Sequence, residues 1–289
     1  MLGNLLIAAL IMAGLGITLS VVLAIANKNL FVFEDPRIDE VEAMLPATNC
    51  GACGHAGCRA FAEALVEGKA SPAQCTVNSP EMLESIAAYL GVEAGTRERR
   101  VARLACAGGN NVARQMASYY GPETCRSAAL VAGGGKGCVW GCLGYGDCMR
   151  ACEFAAITMN ENDLPVVDEA RCTACGACVD ECPKDLFTLL PVDQRLWVAC
   201  KNELAGDEAE ADCLVACTAC GRCAMDAPNN MISIVNNLAR VDYSRWQPDC
   251  RVAIERCPTG AIVWLDKDLG PIKGIQARRI TRRSPLPIG

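Results

Sequence analysis

Cysteine carries the chemistry of this chain: 21 of its 289 residues are cysteine, against a single histidine. The tightest run is Cys172, Cys175, Cys178 and Cys182-Pro183, spaced C-x2-C-x2-C-x3-C-P. Three thiolates at this spacing hold one [4Fe-4S] cube and the fourth reaches to a neighbouring one. By that crossed rule Cys152, Cys172, Cys175 and Cys178 make one complete set. Cys142, Cys148 and Cys182 make three ligands of a companion, because Tyr145 stands where its second cysteine would be. Cys138, about one helical turn before Cys142, is the replacement the spacing offers. Downstream, Cys217, Cys220 and Cys223 with Cys257-Pro258 make a further set, and near the start Cys50, Cys53, Cys58 and Cys75 make another. Gly51, Gly54 and Gly57 relieve backbone crowding in that first loop.

Cys106, Cys125, Cys200, Cys213 and Cys250 remain. They suit one further cluster. Alternatively Cys106, Cys125, Cys138 and Cys142 form a site of their own, which leaves Cys148 and Cys182 short of partners; a buried structural thiol is the plain reading of any leftover. Both assignments stay open. The cofactor count is at least three [4Fe-4S] clusters, and four or five on the fuller assignment. Disulfides suit small secreted domains rather than tight C-x2-C groups, and structural zinc favours two separated cysteine pairs.

Other chemistries lack their residues. No acid–base pair, nucleophile triad or dinucleotide fingerprint is present. Gly133 to Gly137 is flexible backbone beside a cluster rather than a phosphate loop, since no strand precedes it and no Lys-Ser or Lys-Thr ends it. His55 reads as a solvent-facing loop histidine. A net charge of -6 argues against nucleic acid as a partner.

The elements that position the cysteines read as α+β: one N-terminal transmembrane helix, a small helical [4Fe-4S] domain, then tandem ferredoxin-like iron-sulfur units. No charge occurs from Leu2 to Ala26, and about 25 residues at about 1.5 Å each span roughly 37 Å, enough for the hydrocarbon layer. A cleaved signal peptide is the rival, on Ala24-Ile25-Ala26, but no basic residue precedes the run and cleavage would send thiolates to an oxidising compartment. Lys28 and Arg37 place the bulk of the chain on the cytoplasmic side of the bacterial inner membrane. Ala9, Ala13 and Gly16 would let a partner helix approach closely.

A polar linker from Glu34 leads into a short helix ending near Met44; Arg59 to Glu67 is amphipathic. Ser79, Pro80 and Glu81 open a helix running to about Leu90. Gly91 to Arg103, with Arg97, Arg99, Arg100 and Arg103, reads as a solvated linker. Ile157–Met159 and Pro165–Val167 are strands about a turn. The same order recurs at Ile232–Val235, Asn236-Asn237 and Leu238–Val241, followed by Ile262–Leu265. The second unit has decayed, with Ala227, Gln247 and Ala253 at cysteine positions. The boundaries are 1–27 for the transmembrane helix, 28–95 for the first cluster domain, 96–137 for a cysteine-containing linker, 138–190 and 191–266 for the two units, and 267–289 for a basic tail. That tail, with Arg278, Arg279, Arg282 and Arg283, reads as a disordered, solvated end.

The membrane helix, the motif C-G-A-C-G-H-A-G-C with its distant cysteine, the segment G-C-V-W-G-C-L-G-Y-G-D-C and the ferredoxin repeats together resemble the B-type iron-sulfur subunits of Rnf complexes, in their longer form. The resemblance covers most of residues 1–266. It implies a membrane-bound ferredoxin:NAD oxidoreductase that couples electron flow to ion pumping. In that family this subunit exchanges electrons with soluble ferredoxin or flavodoxin and passes them to peripheral and membrane-embedded subunits, against membrane lipid. The alternatives are an iron-sulfur subunit of a different membrane oxidoreductase and a non-redox zinc scaffold.

Overall fold

The computed structural model describes residues 2–30, 34–96, 98–267 and 269–288. Arg97 of the expected linker lies outside the described residues. Helix α1 (Leu2–Leu30) is apolar all round, and its segment Ala9–Lys28 is 0% buried against the rest of the protein. Among the described residues it is the one helix long and apolar enough to cross a membrane. Thr18 hydrogen-bonds back to the carbonyl of Gly14 at 2.7 Å, so its hydroxyl needs no outside partner in lipid.

Three short helices follow: α2 (Pro36–Met44), α3 (Cys58–Val66) and α4 (Pro80–Leu90). Ser79 caps α4 through Met82 N at 3.3 Å, and Gly91 ends it in the left-handed region at φ 68°. Their apolar faces meet in one core of Val41, Phe61, Leu65, Leu83 and Ile86. Arg59 gathers Glu34, Asp39 and Glu42 around its guanidinium.

The cysteine-rich remainder runs through β1 (Arg100–Leu104), α5 (Cys125–Leu130), α6 (Asp147–Arg150), β2 (Ile157–Met159), β3 (Pro165–Val167), α7 (Ala177–Glu181) and β4 (Phe187–Pro191). It continues with β5 (Leu196–Val198), α8 (Gly206–Asp212), α9 (Arg222–Asp226), β6 (Ile232–Val235), β7 (Leu238–Val241), β8 (Ile262–Asp266) and β9 (Gly270–Ile272). All pairings are antiparallel: β1 with β4, β2 with β3, β6 with β7, and β5–β8–β9. The hairpins β2–β3 and β6–β7 have the bounds the turn chemistry at Asn160–Asp163 and Asn236-Asn237 predicts.

Backbone geometry repeats with the sequence. The residue three past each of positions 152, 182, 227 and 257 has positive φ: Ala155 (47°), Asp185 (49°), Asn230 (50°) and Gly260 (69°). L-residues visit this region at a cost, so four recurrences mark one loop shape used four times. The shape survives at Ala227, where the cysteine is gone. In place of the lost site, Cys250 and Ala253 are fully buried with Leu196, Met231 and Ile254, and Trp246 stacks on Trp264 at 6.1 Å between centroids. Hydrocarbon fills the space.

Two expectations are corrected. The expected solvated linker ends in β1, with Val101 and Ala102 buried and Arg103 paired with Glu169. Arg99 and Arg100 donate to the carbonyls of Glu169 and Leu189. The arginines of the charged tail are exposed as expected, but the tail is tied to the surface rather than disordered. Arg278 pairs with Glu210 at 2.7 Å, Asn111 donates to the carbonyl of Arg282 at 3.0 Å, and Leu286 N donates to that of Asn110 at 2.9 Å.

Candidate metal centres

Three short helices of the cysteine-rich part, α6, α7 and α9, begin beside a residue that turns the chain, so that side chains from separate segments converge. Gly146, Gly176 and Gly221, with φ of 75°, 91° and 72°, precede α6, α7 and α9. Behind each turn a cysteine is buried: Cys148, Cys178 and Cys223.

Four small cavities result, each lined by four cysteines. Cys152, Cys172, Cys175 and Cys178 line one. Cys217, Cys220, Cys223 and Cys257 line another. These two groupings are those the crossed rule gives. A third cavity brings Cys125 to Cys142, Cys148 and Cys182. The fourth gathers Cys106, Cys138, Cys200 and Cys213. In the first domain Cys53 lies within electrostatic reach of Cys50 and Cys75, and Cys58 packs on the same core.

The third and fourth cavities correct the expected grouping. Cys138 does not line the cavity of Cys142, Cys148 and Cys182; Cys125, at the start of α5, does. Nor do Cys106, Cys125, Cys138 and Cys142 form one site. The physical reason is directional: the chain turns between Cys138 and Cys142, where Gly141 N bonds the carbonyl of Cys138 at 3.0 Å, and the two thiols enter different cavities. A signal for this was present in the sequence. The spacing C-x3-C that separates neighbouring sets at Cys148/Cys152 and Cys178/Cys182 also separates Cys138/Cys142 and Cys213/Cys217. Only Cys250 is left outside the five sets.

Backbone amides are aimed at the sulfurs. Ala156 N donates to Cys152 Sγ at 3.3 Å, Leu186 N to Cys182 Sγ at 3.5 Å, Cys142 N to Cys106 Sγ at 3.4 Å and Cys217 N to Cys200 Sγ at 3.3 Å. At Cys200 the donor favours the thiolate over the thiol. Burial acts the other way and is larger: it pushes Cys142, Cys148, Cys178, Cys200 and Cys223 up to about 12, and Cys213 to about 11. The thiols are therefore protonated until a cation draws the protons off.

The residues fit an iron-sulfur group rather than one ion. Among the described residues, no three His, Cys, Asp or Glu side chains converge tightly enough to grip a single metal. The cavities of Cys172 and Cys220 have no charged residue in their walls, whereas the cavity of Cys106 holds Lys136, buried, and Asn202, whose Nδ2 is buried without a partner. Both are donors facing a space that needs an anion with acceptor atoms, as an iron-sulfur group is.

The glycine run contributes here. Gly133, Gly134 and Gly135 all have positive φ, and the carbonyl of Gly135 accepts from Met116 N at 2.7 Å, which delivers Lys136 into the cavity. His55 is half-buried against Phe61, 5.3 Å between centroids, rather than facing solvent. Lys136, Asn202 and the role of Cys125 were not singled out from the sequence.

A family model described as a putative Fe-S cluster matches residues 45–77, and one described as a 4Fe-4S binding domain matches residues 165–188. The B-type subunit of the Na(+)-translocating ferredoxin:NAD(+) oxidoreductase complex of Acetobacterium woodii is 42% identical over 262 residues, covering 91% of this chain and 78% of the relative. The chain belongs to the B-type subunit family of ion-translocating oxidoreductase complexes, the Rnf complexes. Two other members agree. The B-type subunit of the ion-translocating oxidoreductase complex of Methanosarcina acetivorans is 37% identical, covering 87% of this chain and 95% of the relative. Its counterpart in the proton-translocating ferredoxin:NAD(+) oxidoreductase complex of Clostridium ljungdahlii is 38% identical, covering 87% and 89%. Membership makes the chain an iron-sulfur electron-transfer subunit of such a complex, and α1 suits membrane anchoring.

Proposed function

We propose that this subunit carries five [4Fe-4S] sites in a fixed order and relays electrons between a soluble carrier and the membrane partners of its complex. The observation that carries the reading is the grouping of 20 of the 21 cysteines into five sets of four. A bound [4Fe-4S] group takes up or gives one electron with little rearrangement. The protein's part is to hold neighbouring sets together.

C-x3-C segments do this. Cys213 and Cys217 join the set of Cys220 to that of Cys106; Cys138 and Cys142 join the latter to the set of Cys125. Cys148/Cys152 and Cys178/Cys182 join that to the set of Cys172. Cys50 comes within electrostatic reach of Cys175, which links the amino-terminal set to the series. Cys220 is the one cysteine exposed to solvent, so the outer terminus is at its set and the inner terminus is at Cys50, nearest α1.

The tandem ferredoxin-like units, 138–190 and 191–266, form the outer half of the relay, and residues 28–95 the inner domain. A single-pass α1 with the remainder in the cytoplasm puts Cys220 before soluble ferredoxin or flavodoxin and Cys50 before the membrane-embedded subunits. Two of the relatives' names include ferredoxin:NAD(+) oxidoreductase, which supports this direction of assembly. Iron and sulfide quantitation on anaerobically purified protein tests the count: about 20 irons with matching sulfide is expected. Zinc in place of iron, or fewer than about 12 irons in fully folded protein, rules the five-site relay out.

A further inference from the structure

The four cavities have the same cysteine count but different charges in their walls. The cavity of Cys172 and the cavity of Cys220 are lined by no charged side chain. That of Cys125 is lined by Asp147 and Glu181 against Lys184. Asp147 pairs with Arg150, and Glu181 with Arg126 at 3.3 Å. That of Cys106 is lined by Lys136 and by no carboxylate; Lys201 also borders it, but its Nζ donates to the carbonyls of Lys184 and Asp185.

Lys136 is 8% exposed, and its Nζ donates to the carbonyls of Gly108 at 2.6 Å and Cys142 at 2.5 Å. Among the described residues no carboxylate pairs with it. Asp212, whose carboxylate packs beside Gly137, lies within electrostatic reach of Cys138, where Lys136 opposes it. A buried cation held only by carbonyl dipoles is costly unless an anion completes it. Asn202, 1% exposed, accepts from Leu204 N at 2.8 Å through Oδ1 and leaves Nδ2 unpartnered at the same cavity.

We propose that Lys136 and Asn202 make the site of Cys106, Cys138, Cys200 and Cys213 the most easily reduced of the four cavities, so that it holds the first electron taken up by this part of the relay. This rests on the five-site reading. Reduction adds one negative charge, and a fixed ammonium and an amide N–H stabilise the more negative state. No proton need move. The electron settles one site inside the solvent-exposed end, next to the cavity whose wall carries acids, and onward transfer starts from that well.

The test is a potentiometric EPR titration of the intact protein, with iron quantitation for every variant. Cys106→Ser removes one signal and about four irons, which identifies that signal with the site; if no signal is lost, the five-site reading itself fails. Lys136→Met, which keeps the stem and removes the charge, lowers the reduced-to-oxidised ratio of that signal by at least tenfold at fixed potential, about 59 mV for one electron. Lys136→Arg restores most of it. Asn202→Leu moves the same signal in the same direction by less and leaves the others in place, and it carries the test if Lys136→Met binds less iron. In the wild type this signal is the first to appear among those of the four cavities. Full iron content with the signal unmoved in both Lys136→Met and Asn202→Leu overturns the proposal, and so does its appearing last in the wild type.

Discussion

The difference between Cys125 and Cys250 shows what an individual side chain decides. Both were leftovers by spacing, yet Cys125 completes a four-sulfur cavity and Cys250 is buried with Ala253 and Ile254 outside all four cavities. Cys125→Ser is expected to remove about four irons and one EPR signal, whereas Cys250→Ser keeps the full iron content. The assignment was hidden in the sequence because Cys125 reaches Cys142 by folding back of the intervening chain, and no local spacing records that. The sets of Cys172 and Cys217 were legible because three of the four cysteines in each lie within one turn-helix motif and the crossed rule supplies the fourth, Cys152 or Cys257. Protonation gives a second prediction. Burial raises Cys142, Cys148, Cys178, Cys200 and Cys223 from 9.0 to about 12 in the folded, iron-free chain. Between these values the unfolded chain binds fewer protons than the folded one, so stability falls as pH rises through 9 toward 12. The urea midpoint of iron-free protein is expected to be lower at pH 10 than at pH 7, with little change between pH 6 and 7.5 from these groups.

The strand β1 is the element that departs furthest from its sequence pattern. Arginine at Arg99, Arg100 and Arg103 reads as solvent-facing; Arg99 and Arg100 stay exposed while donating to carbonyls, but antiparallel pairing with β4 buries Arg103 against Glu169. Its partner lies more than eighty residues downstream, which periodicity alone cannot supply. Glu169→Ala leaves Arg103 as a 7% exposed cation without its carboxylate. A loss of roughly 2–3 kcal/mol is expected by chemical denaturation, below the usual figure for a fully enclosed pair because Glu169 is itself partly exposed. Helix α4 was legible from its ends alone: Ser79, Pro80 and Gly91 are cap, first-turn and stop residues. Ser79→Ala should cost about 1 kcal/mol, read as a lower melting temperature.

The molecule as a whole combines an unburied apolar helix with cores that do not depend on it. No part of the core of Val41, Phe61 and Leu83 comes from α1. Deleting residues 1–30 is expected to release the protein into the soluble fraction with its iron content unchanged; retention on membranes, or loss of iron, would show that α1 does more than anchor. The coarse plan of anchor, helical cluster domain and repeated hairpins was readable because each part has local signals: an uncharged run, capped helices, turn residues. The packed tail was not. Its arginines find Glu210 and backbone carbonyls around Asn110 and Asn111, contacts fixed by the finished surface rather than by neighbours in the chain.

The four C-x3-C segments have a bearing on damage and repair. On the proposed five-site reading each would belong to two sites at once, so loss of one cube would loosen the peptide holding the next, and injury would spread along the series instead of stopping where it began. The same sharing runs in reverse during maturation: filling one site prearranges half a turn of its neighbour. Cells should therefore contain this subunit mostly as fully loaded or wholly empty chains, with few partly filled ones between.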